Sequence, residues 1–303
     1  MPNTRTIQTH AKINLILQVA PPITDPANPN QGMHPICSWM HPINLADQLT
    51  IELLDNQPAK FDIHWDTNTP VDWPLESDLI YKAHAILESR AARPLPIHAK
   101  LIKSIPAGGG LGGGSSNAAS MLMALNQRFS LNLTEQQLQS IAHTLGSDIP
   151  YFIDLESFNN NLPPRPAVVS GIGDKIERTN RIQSNLTLLI PPFACPTGTI
   201  YQTFDSTTPP AFTPSPINHQ RVLDAASATT INPSTLSNDL TNPARSAIPQ
   251  LDHLMTKLKD LAIPIHLSGS GSTLFTLGPL DQSTITTIKS QHPSLQILHT
   301  NLT

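Results

Sequence analysis

The segment from Pro106 to Ala119 reads PAGGGLGGGSSNAA and joins six glycines to an alanine-rich continuation. Glycine adopts positive φ without steric penalty, so a loop of this composition exposes backbone N–H groups. Ser115, Ser116 and Asn117 are favourable helix N-caps, and apolar residues at helical spacing follow them. We predict that Pro106–Ser116, here called the glycine loop, leads into a helix whose unpaired amides and partial positive charge face a ligand.

Phosphate is the type of ligand that such a helix start favours. A flexible linker is the alternative, but a strand-like run at 97–102 precedes the glycines and an apolar helix follows. The Walker A pattern needs a lysine that Gly114-Ser115-Ser116 does not contain. The dinucleotide-binding pattern needs an acidic residue about 20 positions further on, and residues 130–134 include none. The sequence therefore predicts a phosphate loop of another class.

The bulk composition predicts a globular protein with about two domains. The chain has 303 residues, of which 39% are hydrophobic, and its formal net charge of −4 gives no basic surface for nucleic acid. The two cysteines, the absence of a signal-peptide pattern and the absence of an apolar run of about 18 residues predict a cytoplasmic protein without membrane association. Prolines cluster near 163–166, 191–196 and 209–216, which indicates loops; the last cluster has no evident purpose.

Two further segments carry candidate chemistry. Residues 11–19 alternate, which predicts a half-buried strand with Lys12 and Asn14 on the face opposite the core. Lys12 is either a solvated lysine or a functional one. Thr134 begins a capping box, and Gly146 is expected to end the helix that follows. Asp148 stands directly after that helix, where an aspartate is either a cap or a functional carboxylate.

The remaining periodicity predicts an α+β fold with two βαβ-like halves. Leu267–Phe275 contains Ser-Gly-Ser-Gly-Ser and forms a second glycine turn, which on its own is equally consistent with a plain hairpin. The predicted strands are 49–53, 61–65, 186–190, 265–267, 273–277 and 295–299, and the predicted helices are 78–90, 197–204, 243–261 and 282–290.

The order of these motifs resembles the GHMP small-molecule kinase superfamily, and within it the family of kinases that act on 4-diphosphocytidyl-2-C-methyl-D-erythritol. The resemblance implies an α+β two-domain GHMP kinase fold, with a ribosomal protein S5 domain 2-like nucleotide-binding domain at 1–162 and a ferredoxin-like domain at 163–303. The residues that carry it are Ala11–Leu15, Pro106–Ala119, Leu145–Pro150, Gly171–Gly173, Asn238–Leu240 and Leu267–Phe275.

The resemblance also implies roles in phosphoryl transfer from ATP. Lys12 is expected to pair with Asp148 and with the transferring phosphoryl group, and Asp148 to act as the base or orienting carboxylate for the acceptor hydroxyl. Mg²⁺ is expected to bridge the nucleotide phosphates, with Ser116 as its protein contact. The residues expected to wrap the phosphates are Pro106, Ala107, Gly108, Gly109, Gly110, Leu111, Gly112, Gly113, Gly114, Ser115 and Ser116.

The acceptor implied by the resemblance is a cytidine diphosphate conjugate of methylerythritol. His34 is expected to hydrogen-bond the cytosine, and Tyr201 to stack on it. Met33 replaces a tyrosine common in the family, and Asp78 replaces an asparagine that commonly helps to bind nucleotide. The residues expected to bind the acceptor are Asn14, His34, Thr197, Tyr201, Gly269 and Ser270.

Several alternatives remain open on the sequence. One alternative is another GHMP kinase that acts on homoserine, a mevalonate or a sugar. A second alternative is a nucleotide-binding relative that has lost catalysis. His34, Cys37 and His41 have residue types that bind zinc but lack a clear fourth ligand. A monomer and a homodimer are both consistent with the sequence.

Overall fold

The computed structural model describes residues 3–55, 57–67, 70–207 and 217–303. The proline-rich segment at 209–216 lies outside the described residues. The strands are β1 Thr4–Val19, β2 Ile36–Leu53, β3 Lys60–Trp65, β4 Ile97–Lys103, β5 Ala167–Gly171, β6 Lys175–Arg178, β7 Asn185–Ile190, β8 Ser237–Asn238, β9 His266–Leu267, β10 Leu274–Leu277 and β11 Gln296–Asn301. The helices are α1 Leu79–Ala91, α2 Gly113–Arg128, α3 Glu135–Leu145, α4 Ile149–Phe152, α5 Leu155–Asn159, α6 Thr197–Thr207, α7 His219–Ala226, α8 Thr241–Ala247, α9 Pro249–Asp260 and α10 Gln282–Gln291.

The chain divides into two compact units, and neither is continuous in sequence. The first unit comprises Met1–Ala11, Leu45–Pro106 and Gly112–Arg165. The second comprises Lys12–Asn44, Ala107–Leu111 and Pro166–Thr303. Both β1 and β2 contribute residues to each unit, and so does the glycine loop. The division into domains at 1–162 and 163–303 stays a prediction.

In the first unit, β4 pairs antiparallel with the second part of β2, from Gln48 opposite Ile102 to Leu53 opposite Ile97. It also pairs in parallel with β3. The helices α1, α2, α3 and α4 pack on one another. Their apolar faces and the alternating residues of β2 and β4 are buried, among them Leu49, Ile51, Leu87, Leu101, Leu122, Leu125, Leu138 and Tyr151.

In the second unit, the first part of β2 pairs antiparallel with β5, which pairs with β6. β1 pairs in parallel with β8 through Leu17 and Asn238. A separate antiparallel sheet has the order β11-β7-β10-β9. The core packs this sheet against α6, α8 and α9, with Leu189, Ile200, Leu251, Leu258 and Leu274 fully buried. Cys37 and Cys195 are both free and buried, and burial raises the pKa of each thiol to about 11.

Most predicted elements are confirmed, but the single long helix at 243–261 is wrong. Two helices, α8 and α9, replace it, and Ile248 lies between them with extended backbone at φ −124° and ψ 91°. Pro249 causes the break, because proline has no N–H and disfavours helical backbone in the residue before it. The helix α3 begins with the predicted capping box at Thr134 and ends at Leu145, although Gly146 caps it with φ 168° rather than in the left-handed region.

Candidate active site

The start of α2 is built from glycine rather than from the predicted caps. Gly112 is the N-cap, with φ 70° and no capping side chain, and the helix begins at Gly113. Asn117 lies inside the helix because Asp47 and Thr9 hold its side chain. A Cβ on Gly113 would lie 2.8 Å from Ile105 Cγ2, whereas Gly114 is exposed. No side chain caps the start of α2, so the first amides of the helix are available to a phosphate ligand.

The middle of the glycine loop packs on the second glycine turn, and both lie in the second unit. Thr273 N donates to Gly109 O at 3.2 Å, and Ser268 Oγ donates to Gly110 O at 3.1 Å. Gly110 has φ +73°, and a Cβ there would lie 2.2 Å from Ser268 O. Leu267 pairs with Leu274, so the turn joins two antiparallel strands as a hairpin does. It also forms the surface on which the glycine loop rests.

Lys12 and Asn14 are buried, with 2% and 3% of their surfaces exposed, so the prediction of a half-buried strand is wrong between Ala11 and Val19. Their polar atoms are paired, which permits the burial. Lys12 Nζ donates to Asn14 Oδ1 at 2.5 Å, and Asn14 Nδ2 donates to Ser38 Oγ at 2.8 Å. The backbone N–H of Lys12 donates to Leu111 O at 2.9 Å, which ties the lysine to the middle of the glycine loop.

The second glycine turn closes around this pair. A Cβ on Gly269 would lie 3.2 Å from Asn14 Oδ1 and 3.3 Å from Lys12 Nζ, so only glycine leaves both groups their room. Asn238 Nδ2 donates to Leu267 O and to Gly269 O, each at 2.8 Å, and its Oδ1 accepts from Leu240 N. The Asn238–Leu240 motif thus holds the turn in place.

Asp148 and Asp78 lie in the first unit and stand at two helix starts. Asp148 occupies the N-cap position of α4 but makes no capping hydrogen bond there, so the reading of this residue as a simple cap is wrong. Asp78 does cap α1, since its Oδ1 accepts from Ile80 N at 2.9 Å, and its Oδ2 accepts from Trp73 Nε1 at 2.8 Å. Both partners are donors, so a carboxylate with two acceptor oxygens suits this position better than the asparagine common in the family.

His34 and Tyr201 lie together in the second unit, with ring centroids 4.9 Å apart. The His34 side chain is only 6% exposed, so it is not a surface loop residue. Its Nδ1 contacts Ala20 O at 2.9 Å, and its Nε2 lies 3.4 Å from Asp205 Oδ1. A carbonyl only accepts, so Nδ1 carries a proton.

Thr197 and Ser270 form a second pair in the same unit. Their hydroxyl oxygens are 2.9 Å apart, which links the start of α6 to the second glycine turn. Thr197 is exposed and Ser270 is 9% exposed. The link orients the two hydroxyls that are predicted to bind the acceptor.

Ser116 is the predicted magnesium contact, and its hydroxyl belongs to a buried residue of α2 that lines a cavity of about 160 Å³ in the first unit. In the described part of the chain, no three His, Cys, Asp or Glu side chains are grouped as a metal site would need. This donor set fits a Mg²⁺ ion held mainly by nucleotide phosphates with one hydroxyl, rather than by a protein cage.

His41, one of the candidate zinc ligands, instead contacts Pro42 O and Ile182 N.

The second unit therefore brings together Lys12, Asn14, Gly110 and Gly269, and separately pairs His34 with Tyr201. The first unit contains Gly112–Ser116 and Asp148. Sequence reasoning missed Asp47, Ser38 and the partners of Asn238. Asp47 could have been noticed, because it shares the strand parity of Leu49, Ile51 and Leu53 and so lies on an apolar face.

Comparison with known proteins gives the family. A family model described as the GHMP kinases N terminal domain matches residues 78–154. A chloroplastic protein of Mentha piperita, named 4-diphosphocytidyl-2-C-methyl-D-erythritol kinase, is 32% identical over 91% of this chain and 64% of its own length. A protein of the same name from Persephonella marina is 30% identical over 90% of this chain and 91% of its own. The chain belongs to the 4-diphosphocytidyl-2-C-methyl-D-erythritol kinase family.

A solved structure agrees with this family assignment. The crystal structure titled 4-(cytidine 5'-diphospho)-2C-methyl-D-erythritol kinase superposes with a TM-score of 0.69 and 25% identity, covering 98% of this chain and 99% of the other. The predicted membership of the GHMP kinases and the α+β fold class are confirmed. In the parts of the chain that the structure describes, no helix has the length and apolarity to cross a membrane.

Proposed function

We propose that this member of the 4-diphosphocytidyl-2-C-methyl-D-erythritol kinase family transfers the γ-phosphoryl group of ATP to the 2-hydroxyl of 4-diphosphocytidyl-2-C-methyl-D-erythritol, a step of non-mevalonate isoprenoid precursor biosynthesis. The family relatives support the acceptor over homoserine, mevalonate or sugar. The observation that carries the proposal is the buried Lys12–Asn14 pair between two glycine turns. A buried ammonium held in one orientation suits the negative charge of a transferring phosphoryl group.

Phosphoryl transfer asks the protein for alignment and for neutralisation of charge rather than for covalent chemistry. We assign the glycine loop to the ATP phosphates, Lys12 to the charge of the transferring group, and Asp148 to the acceptor hydroxyl as its base or orienting group. Asn14 fixes the lysine by accepting its hydrogen bond. Mg²⁺, when bound with ATP, neutralises phosphate charge, and Ser116 is the residue that would contact it.

For the acceptor, we assign His34 and Tyr201 to the cytosine. Because His34 Nδ1 donates to Ala20 O, the orientation of the ring is fixed, and Nε2, which lies beside Asp205, is the ring nitrogen that we assign to the cytosine. Tyr201 offers a partly buried ring for stacking, and Met33 offers a polarisable side chain in place of the tyrosine that the family resemblance implies. Thr197, Gly269 and Ser270 are assigned to the remainder of the acceptor.

Two variants test the roles in the first and second units. Lys12→Ala is expected to lower kcat by about 100-fold to 1,000-fold, because a preorganised charge is lost. Asp148→Asn is expected to lower it by about 100-fold to 10,000-fold, because a proton acceptor is lost. Calorimetric binding of ADP should remain close to wild type in both. An unchanged kcat in either variant would refute its assignment.

The acceptor is tested by steady-state kinetics with competing nucleotides. CDP should compete with the acceptor, and homoserine, mevalonate and sugars should not be phosphorylated. Absence of radiolabelled phosphoryl transfer from ATP to the cytidine substrate would favour a relative that has lost catalysis. The cytoplasmic location and the choice between monomer and homodimer stay predictions, which fractionation and sedimentation would decide.

A further inference from the structure

We propose that Asp47 is a positioning residue for the glycine loop, setting the geometry with which the loop meets nucleotide phosphate. Asp47 lies on β2 in the first unit and is completely buried. The proposal rests on the proposed function, because it assumes that the glycine loop binds the phosphates of ATP. The carboxylate of Asp47 bonds Lys103, Ser104, Ile105 and Asn117, none of which is assigned to the chemistry, so its role is indirect.

The carboxylate of Asp47 accepts four hydrogen bonds. Its Oδ1 accepts from the backbone N–H of Ser104 and of Ile105, each at 2.7 Å. Its Oδ2 accepts from Lys103 Nζ and from Asn117 Nδ2, each at 2.9 Å. A carboxylate has about four lone-pair sites, so this group is saturated. All four partners are donors, which an ionised aspartate satisfies and an asparagine does not.

These partners flank the glycine loop on both sides. Ser104 and Ile105 directly precede Pro106, and Asn117 directly follows Ser116. One buried charge therefore fixes where the chain enters the loop and where it continues into α2. The amide oxygen of Asn117 is held as well, because Oδ1 accepts a hydrogen bond from Thr9 Oγ1 at 2.5 Å.

The packing beside Asp47 and its hydrogen-bond partners leaves little freedom at the start of α2. Gly113, the first residue of α2, lies against the side chain of Ile105, where a Cβ would approach Cγ2 within 2.8 Å. The amide of Ile105 is one of the groups that Asp47 holds. A shift of Ile105 would therefore move the helix start whose amides we assign to phosphate. Misplacement of about 1 Å costs up to about 100-fold in comparable sites.

Asp47→Asn tests this proposal, because the substitution keeps the shape but directs an NH₂ group at two donors. ADP binding by calorimetry is expected to weaken by about 10-fold to 100-fold, with a matching rise in KM for ATP. The KM for the cytidine substrate should change little. Recovery of binding requires the carboxylate at its own position, so Asp47→Glu, which places the carboxylate one methylene further from the backbone, should also bind ADP weakly.

Asp154→Asn is the matched control in the same unit. Asp154 is 1% exposed and, like Asp47, is paired with a cation, since Arg165 Nη2 donates to Oδ1 at 3.0 Å. Its partners include Ser157 and Arg165, which belong to segments other than the glycine loop. The control should lower the melting temperature as Asp47→Asn does, while ADP binding stays near wild type.

A double variant covers the case in which Asp47→Asn does not fold. Asp47→Leu with Lys103→Met removes both buried charges together, which proteins tolerate better than one unpaired charge. It still leaves the amides of Ser104 and Ile105 without their acceptor, so ADP binding should remain weakened. Lys103→Met alone keeps the carboxylate on the loop and should affect binding less.

The outcomes separate the two proposals. If wild-type protein binds no ADP, the proposed function fails and this inference fails with it. If wild type binds ADP and both Asp47→Asn and the double variant bind it equally well, only the positioning role is refuted. Equal weakening in Asp47→Asn and Asp154→Asn would also refute it, because the effect would then be general loosening of the unit.

Discussion

The glycine loop and the second glycine turn have similar composition but use glycine for different purposes. In the glycine loop, Ala107, Gly108 and Gly114 are exposed. In the second glycine turn, every residue from Leu267 to Phe275 is buried. Gly108 and Gly114 thus leave backbone exposed to solvent in the glycine loop, whereas Gly269 keeps free the space beside Lys12 and Asn14 that a Cβ would fill. A glycine count alone does not distinguish a ligand surface from a packing surface.

The side chains that hold the two segments also differ, in whether they accept or donate hydrogen bonds. Asp47 meets only donors, and it is a carboxylate. Asn238 meets two carbonyl groups and one N–H, and it is an amide that both donates and accepts. Each residue type matches the hydrogen-bonding character of the backbone it holds. A substitution at Asp47 or at Asn238 can therefore perturb one of the two segments while the other keeps its hydrogen bonds.

The largest effect is expected from Gly110→Ala, which inserts a methyl group between the two segments. The left-handed backbone costs about 1–2 kcal/mol and overpacking against Ser268 O about 1–3 kcal/mol more. The free energy of unfolding, measured with denaturant, should therefore fall by about 2–5 kcal/mol. Gly278→Ala is the control, since its φ is +78° with nothing within 4 Å, and it should cost only the backbone term.

The next effect is expected from Asn238→Ala, which removes the donor to Leu267 O and Gly269 O. A buried polar group left without its partner costs about 1–3 kcal/mol, and kcat should fall because the turn borders Lys12. Thermal unfolding and kinetics measure both. Asn238→Asp keeps the size but supplies no donor; if it behaves as wild type, the two bonds are unimportant.

A smaller and opposite effect on stability is expected from Gly114→Ala. Gly114 is exposed in the first turn of α2, and a Cβ there meets only Leu79 Cδ1 at 3.4 Å. Alanine favours helix by about 0.5–1 kcal/mol over glycine, so unfolding should require more denaturant. The KM for ATP should nevertheless rise, because the methyl group covers open amides. An unchanged KM would argue against the glycine loop as a ligand surface.

The smallest effect is a pH dependence at Asp239, beside the residue that holds the second glycine turn. Burial raises the pKa of Asp239, against the opposing effects of the Val19 N–H and Arg221. The folded state then binds the proton more tightly than the unfolded state, so this contribution to stability is full below a pH of about 3.9 and is lost as pH rises through the folded-state pKa. Asp239→Asn should remove it. Unfolding measured from acid to neutral pH should show the stability of the variant relative to wild type increasing with pH.

Local elements could be read from the sequence because their causes are local. The capping box at Thr134 and the strands at 61–65 and 97–102 are confirmed. The break at Pro249 was equally visible, since proline inside a helical pattern ends the helix before it, but the apolar spacing on both sides obscured it. The full length of β2 was missed because Pro42 and Asp47 interrupt the alternation.

Partners distant in sequence could not be predicted in the same way. Asn238 and Gly269 are 31 residues apart, and Asp47 and Asn117 are 70 apart. Periodicity shows which face a side chain occupies but not which group stands opposite. For Lys12 and Asn14 the face was predicted and the burial was not, because the polar partners that allow burial, such as Ser38, lie on another strand.

The burial of both cysteines makes this chain a clean background for chemical labelling. With thiol pKa values of about 11, Cys37 and Cys195 hold only about one part in ten thousand of the reactive thiolate at pH 7. A cysteine introduced at the exposed Ala107 would therefore take up a maleimide fluorophore selectively. Such a probe would report nucleotide arrival at the glycine loop directly, with both native thiols still in place.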